Sequence, residues 1–452
     1  MKERGNFGTK LGIVLATAGS AVGLGNVWRF PYMTGENGGA AFLLIYVCCI
    51  FLIGIPGMLC EFIVGRHGQA NAAHSYDKLS QGHPWRYVGY LGIFTATIIL
   101  GFYAVVAGWC LQYLFASVAG QVLGDAQYVK DYFVTFSSDA IRPVLWGIAF
   151  IVITHMVVVR GVRRGIERAS KRLMPILLIL LVVLMVASCL LPGAMEGVKF
   201  LLMPDFSKLS GKVVLDAMGQ AFFSLSLGSA VLCTYASYFS HETNLVNSAG
   251  QIALLDTLIA ICSGLIIFPA AAAVGISPDS GPSLIFITLP NVFQQAFASL
   301  PVVGYVVSIM FYALLVFAAL TSTISMHEIG TAFFTEQFGI PRKTAAWILT
   351  SVSSIICIFC AWSVGAFDWV KVLGLPLMDF CDQLTANYLL LTGGWLACVF
   401  VGWVISKEVA FNEFTNNGTC NVRLYRVFLV AIRYVCPIGI LLVFLHQLGI
   451  II

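Results

Sequence analysis

Apolar stretches of roughly 20 residues, the length an α-helix needs to cross the hydrocarbon core of a bilayer, recur along the whole chain. They run Leu11 to Tyr32, Ala41 to Val64, Gly89 to Ser117, Val144 to Val159 and Met174 to Leu190, and then Val213 to Tyr238, Ile252 to Val274, Val302 to Phe333, Ala345 to Phe367, Leu384 to Ile405 and Leu424 to Leu448. By length alone they predict about eleven spans. In hydrocarbon each segment must satisfy its own backbone, and these stretches lack the weak alternation of barrel strands, so they are expected to be helices. Apolar residues make up 59% of the chain and charged residues 10%, more apolar surface than one water-soluble core can hide. The fold class is therefore an all-α integral membrane protein, a single transmembrane domain over residues 1–452 without a water-soluble domain.

Basic residues sort by side. Lys2, Arg4 and Lys10 precede the first span, Arg66, Lys78 and Arg86 follow the second, and Arg160, Arg163, Arg164, Arg168, Lys171 and Arg172 follow the fourth. The excess of positive charge on these loops predicts a cytoplasmic N-terminus, and an odd number of spans then leaves the C-terminus outside. The longest loops, 120–142 and 275–301, fall on the external side. The first span runs through GSAVGLGN into a second long span without a credible cleavage site, so it reads as retained and not as a signal peptide. The cysteines lie mostly inside apolar spans and show no C-x-x-C spacing, which speaks against a zinc site or a disulfide scaffold.

Two spans have middles that are wrong for a lipid-facing helix: Gly19-Ser-Ala-Val-Gly-Leu-Gly-Asn26 in the first and Ser224-Leu-Ser-Leu-Gly-Ser229 in the sixth. Small residues also let helices pack closely, and Gly19 with Gly23 fits that spacing. Their matched positions, if the chain is two five-helix repeats, favour unwinding around a midplane site. Arg29, just past the first glycine run, strengthens this reading, because a charge there needs a partner or water.

The segments GSAVGLGNVWRFPYMTGENGGAAFLLIY, QAFFSLSLGSAVLCTYASY and FAALTSTIS resemble the neurotransmitter:sodium symporter family, and the similarity runs along essentially the whole chain. The form resembles the compact bacterial amino-acid transporters of the LeuT type. The resemblance implies a LeuT-like 5+5 inverted repeat with broken helices one and six: repeat one over about 8–192, repeat two over about 210–406, and an extra helix at about 423–449. It implies sodium-coupled symport of a small amino acid by alternating access, across an inner (cytoplasmic) membrane and with no nucleic-acid partner.

A zwitterionic amino acid brings two charges into a low-dielectric site, and each must meet opposite charge or oriented dipoles. Half-helix N-termini can serve the carboxylate, and carbonyls freed by unwinding can serve the ammonium and the sodium. By the family pattern one Na+ site would use Ala21, Asn26, Ser224 and Asp256, completed by the substrate carboxylate. A second would use Gly19, Val22, Ala318, Thr321 and Ser322. The substrate would touch Ala21, Gly23, Gly25, Ile99, Tyr103, Phe223, Ser224, Ser226, Ser229, Ser322, Ser325 and Met326. Serine and threonine in membrane helices often bond only the preceding turn, whereas Asp256, an acid within an apolar run, defaults to function. Glu61 and Glu328 meet the same test, and the resemblance gives Glu61 a structural role in tethering the sixth span.

The chain departs from the family at Asp256, where most relatives have Asn. Tyr46, Gln220 and Ser224 of the animal chloride site are kept, but Ala260 stands where a further ligand would sit. A carboxylate about 4 Å from sodium interacts at roughly 4 kcal/mol with an effective dielectric near 20, enough to replace an external anion, so chloride is not expected. Ser229 replaces a bulky Phe of LeuT and Met326 is adaptable, which favours a hydrophobic or aromatic L-amino acid, while Ala230 replaces a second glycine. Outside, Tyr103 and Phe223 would form a lid, with Arg29 opposite Asp382 or Asp379, directly or across water. Inside, Arg4 would pair with Glu336 near Tyr238, with Phe7 in place of the usual Trp. Another small zwitterion or amine, or an ion channel, is the alternative reading; an enzyme is not expected, because His155, His327 and His446 show no metal-ligand spacing.

Overall fold

Helix starts in this chain are written in its polar residues. Thr9 caps α1 (Lys10–Ala21), accepting the Gly12 amide at 3.0 Å; Ser210 and Asn244 cap later helices in the same way. The computed structural model describes residues 6–80, 83–275, 284–367 and 369–450. After α1 come α2 (Gly25–Glu36), α3 (Ala40–Gly68), α4 (Ala72–Ser80), α5 (Arg86–Val118), α6 (Ala126–Ser137), α7 (Arg142–Val158), α8 (Val162–Cys189) and α9 (Ala194–Leu202). The second half holds α10 (Gly211–Ser224), α11 (Val231–Ala236), α12 (Leu245–Ala273), α13 (Leu289–Ala296), α14 (Pro301–Phe338), α15 (Arg342–Trp362), α16 (Leu377–Val404), α17 (Lys407–Thr415) and α18 (Val422–Gln447). The sheet among the described residues is a two-strand hairpin, β1 (Lys371–Val372) with β2 (Leu375–Pro376), antiparallel with Lys371 opposite Pro376.

Among the described residues, eight helices are long and apolar enough to cross a membrane unaided, and up to ten if each bent pair is counted as one span. The bent pairs are α1 with α2, at 54°, and α6 with α7, at 74°. The expected sixth span is not one helix: it divides into α10 and α11, each too short to cross alone. The two long loops also carry structure that apolar length does not reveal, α6 in the first and α13 in the second. Both are short and only partly apolar, so they lie outside any criterion built on bilayer thickness. Leu145, Ile179 and Val427 are 61%, 63% and 66% exposed, the apolar outer faces expected of helices whose solvent is lipid.

Inside, α14 packs against α5, and α5 against α7 and α15. Backbones approach closely between α3 and α11: a Cβ at Gly65 would lie 2.0 Å from the Cys233 carbonyl oxygen, so only glycine fits. Arg66, 1% exposed, locks the same end. Its Nε is 2.6 Å from Glu413 Oε2 on α17, its Nη1 donates to Asn416 Oδ1 at 3.1 Å and to the Thr243 carbonyl, and His67 Nδ1 stands 3.0 Å from Glu413 Oε1.

Candidate functional site

The first helix pair breaks where its glycines are. Val22 is extended, and the backbone groups that the break frees are taken by side chains from other elements. Asn26 Oδ1 accepts the Gly23 amide at 3.1 Å, the Tyr103 hydroxyl accepts the Leu24 amide at 2.9 Å, and the Val22 carbonyl accepts Ser322 Oγ at 3.0 Å and Thr321 Oγ1 at 3.4 Å. Gly23 has no room for a side chain, since its Cβ would stand 2.5 Å from Ser322 Oγ.

The second break, between α10 and α11, turns through left-handed conformations at Ser226 (φ 54°), Gly228 (φ 82°) and Ala230 (φ 58°). Two of these are not glycine, a strained arrangement that must be held from outside. Glu61, 2% exposed on α3, supplies the hold: its Oε1 accepts the Gly228 amide at 2.7 Å and its Oε2 the Cys233 amide at 3.2 Å. Ser229 Oγ donates to the Ser226 carbonyl at 2.7 Å.

Where the breaks meet, Asp256 of α12 is fully buried. Its Oδ1 accepts Asn26 Nδ2 at 2.7 Å; its Oδ2 accepts Ser224 Oγ at 2.7 Å and stands 3.3 Å from the Tyr46 hydroxyl. Ala260, one turn along α12, is buried and brings no polar group, while Gln220 Nε2 donates to the Gly25 carbonyl at 3.3 Å. A buried carboxylate with three hydroxyl or amide partners and oxygens facing a break is a donor set suited to a hard cation. A second oxygen cluster lies at the other side of the first break. Thr321 Oγ1 donates to the Ala318 carbonyl at 2.9 Å, so its 3.4 Å approach to the Val22 carbonyl is the longer contact, and a Cβ on Gly19 would meet the Thr321 side chain at 3.2 Å. These oxygens are all neutral.

Between the breaks is a cavity of ≈ 60 Å³. It is lined by every expected pocket residue except Ser325, whose Oγ donates to the Ser322 carbonyl at 2.7 Å. Ala96, Phe102, Val231 and Leu390 also line it. Ala96 and Phe102 could have been found from spacing: with Ile99 and Tyr103 they fall at i, i+3, i+6 and i+7 on one helix face. Leu390 on the tenth span carried no such signal.

Above the cavity the Arg29 guanidinium sits 4.2 Å from the centre of the Phe223 ring, a cation–π contact. Its Nη1 is buried without a hydrogen-bond partner, and among the described residues no carboxylate comes within 4.0 Å of it. Asp382 and Asp216 of α10 are the acids that face Arg29 at longer range; Asp216 stands 3.6 Å from His446 Nε2, and nothing in the sequence singled it out. Below, the Tyr238 hydroxyl donates to Glu328 Oε1 at 2.7 Å, and Glu328 pairs through both oxygens with Arg342, whose Nε also donates to the Val158 carbonyl at 3.0 Å. Glu336 Oε2 accepts the Asn71 amide at 2.5 Å. Phe7 meets Tyr235 and Tyr238 edge-on, at 5.9 and 6.1 Å between ring centres. Arg4 lies outside the described residues.

Residues 4–132 and 137–451 match the model of the sodium:neurotransmitter symporter family. The chain belongs to that family. It is 38% identical over 447 residues to the sodium-dependent transporter YhdH of Bacillus subtilis (strain 168), covering 98% of each chain. The Drosophila melanogaster sodium-dependent serotonin transporter is 27% identical over 458 residues, 90% of this chain and 70% of that one. Among solved structures, that of MhsT in complex with L-phenylalanine superposes with a TM-score of 0.90 at 41% identity, covering 98% of this chain and 100% of that one. This symporter-family chain is thus a sodium-dependent transporter, a multi-pass membrane protein and not an enzyme.

Proposed function

We propose that this symporter couples sodium to the inward transport of a hydrophobic or aromatic L-amino acid by alternating access, without chloride. The observation that carries the proposal is the fully buried Asp256 carboxylate, bonded to Asn26 and Ser224 from the two breaks. In this reading one sodium lies among Ala21, Asn26, Ser224 and Asp256 beside the substrate carboxylate, and a second among Gly19, Val22, Ala318, Thr321 and Ser322. Asp256 is then the fixed counter-charge that chloride supplies elsewhere, and the apolar Ala260 beside it supports that assignment.

The architecture proposed is eleven spans: eight unbroken, two within the bent pairs, and α10 with α11 as the eleventh. Two five-span repeats put the two breaks in equivalent places, with α18 as an extra helix. The N-terminus is cytoplasmic, the C-terminus external and the membrane the cytoplasmic one, supported by the basic residues that flank α1, α3 and α8. An aromatic or hydrophobic substrate is supported by the L-phenylalanine found in the MhsT complex and by small Ser229 and flexible Met326 at the cavity wall. Tyr103 and Phe223 are proposed as the outer lid, with Arg29 facing Asp382 across water. The inner closure is proposed to combine Arg4 and Glu336 with Tyr238.

The test is binding of a panel of radiolabelled L-amino acids to the purified protein, in sodium and in potassium, with Asp256→Ala alongside. Sodium-dependent binding of one class, lost in the variant and unaffected when gluconate replaces chloride, is the expected result. Binding that collapses in gluconate would remove the counter-charge role of Asp256; binding of none of the panel would remove the amino acid.

A further inference from the structure

A second cavity, ≈ 520 Å³, opens at the start of α8 against the N-terminal segment. Arg163, Arg164, Arg168, Lys171 and Arg172 line it, with Glu167 as its one acid. Glu167 is 3% exposed and already committed: it accepts the Gly8 amide at 2.7 Å and Thr9 Oγ1 at 3.0 Å, and pairs with Lys171 Nζ at 2.6 Å. None of the four arginines has an ion-pair or hydrogen-bond acceptor among the described residues. Arg164, Arg168 and Arg172 follow one another at i, i+4 spacing, where like charges destabilise a helix. One turn beyond Arg172 the same face continues as Ile176, Ile179 and Val183, exposed by 43%, 63% and 46%. Cations that give way to lipid-facing aliphatics along a single helix face match the profile of a phospholipid, headgroup first and acyl chain after.

We infer that this cavity binds the phosphate of an anionic membrane lipid, whose headgroup holds the N-terminal segment on the start of α8. A phosphate there relieves the repulsion among the arginines by charge-assisted hydrogen bonds. Its reach extends to the segment before α1, because Arg163 lies across Gly8, its Nε 2.8 Å from where a Gly8 Cβ would be, and Glu167 grips the same two residues. Anionic lipid therefore stabilises the arrangement in which the N-terminal segment is docked. The inference rests on the reading that the start of α8 lies at the membrane surface, and on nothing about the substrate.

The experiment places the full-length protein in bilayer discs of phosphatidylcholine with and without phosphatidylglycerol. Lipid retained in native mass spectrometry and hydrogen exchange of residues 6–12 are the readouts. The wild type is expected to retain phosphatidylglycerol and to slow exchange in its presence. The Arg164→Gln, Arg168→Gln, Arg172→Gln triple variant is expected to lose about fivefold in retention per charge and to show no lipid-dependent slowing. A variant with Arg423→Gln and Arg426→Gln, exposed at the start of α18, is expected to behave as wild type. Three outcomes would overturn the inference: unchanged retention in the triple variant, equal loss in the α18 variant, or the same slowing produced by inorganic phosphate in phosphatidylcholine discs. Sodium-dependent amino-acid binding, measured on the same samples, shows that the variants are folded; if all samples lack it while the lipid effect persists, the transport proposal fails and this one stands.

Discussion

The two oxygen clusters that flank the first break are built on opposite principles. Around Asp256 an acid is buried and held by three side chains from α2, α3 and α10. Around Thr321 and Ser322 the oxygens are neutral, and they join α14 directly to the Val22 carbonyl at the end of α1. A buried carboxylate without a cation is costly, so the first cluster should tolerate an empty site poorly and select for charge. The second is inexpensive to leave empty but depends on α1 staying close to α14. Charge therefore governs the first cluster and proximity the second.

The largest effect should come from removing that charge. Asp256→Asn keeps the shape and loses roughly 4 kcal/mol of attraction for a cation at about 4 Å, so sodium-dependent binding should weaken by about three orders of magnitude, and added chloride should recover part of it. Sodium titration of substrate binding in chloride and in gluconate measures both, and binding that survives the change undiminished would break the distinction between the clusters. Next in size, Glu61→Gln keeps one acceptor oxygen for two amides and turns an NH2 donor toward the other, at a strained turn, and should cost about 2 to 3 kcal/mol; apparent thermal unfolding is the check. Thr321→Val with Ser322→Ala should raise the sodium concentration for half-maximal binding by about tenfold without creating a response to chloride. A chloride response in that pair would erase the contrast.

The smallest effect serves as a control lying far from both clusters. The Glu413 carboxyl is pushed up by burial, but the His67 contact and the Arg66 guanidinium outweigh this and hold it below the usual carboxylate range. A lowered value means that the stabilisation is complete above the ordinary carboxylate range and is lost as pH falls through the lowered one. Unfolding temperature should therefore drop only once pH falls below the ordinary carboxylate range, and Glu413→Gln should flatten that part of the profile while leaving the sodium dependence at neutral pH unchanged.

Helical class and membrane character were legible because bilayer thickness sets a length that apolar runs either meet or fail to meet. The bend in the first span was legible from its glycines, and the buried, hydrogen-bonded state of Asp256 from the cost of an acid in an apolar run. α6 and α13 were not, since surface helices answer to no such length. Nor was Arg342: an arginine opening a span reads as a charge at the water boundary, and its pairing with Glu328 arises only from the folding of α15 against α14. Asp216 was missed for the same reason, since its influence on Arg29 depends on α10 standing beside α2.

The contact at Gly65 limits how the molecule can move. With the Cys233 carbonyl seated directly on the α3 backbone and Glu61 gripping the turn before it, α11 has no side-chain cushion on which to slide past α3. Any tilt that opens a passage on that side must carry α3 and α11 together, as one solid body whose hinge lies elsewhere, in the chain on either side of it. A methyl group at position 65 would not slow such a tilt; it would pry the two helices apart and leave the second break without its anchor.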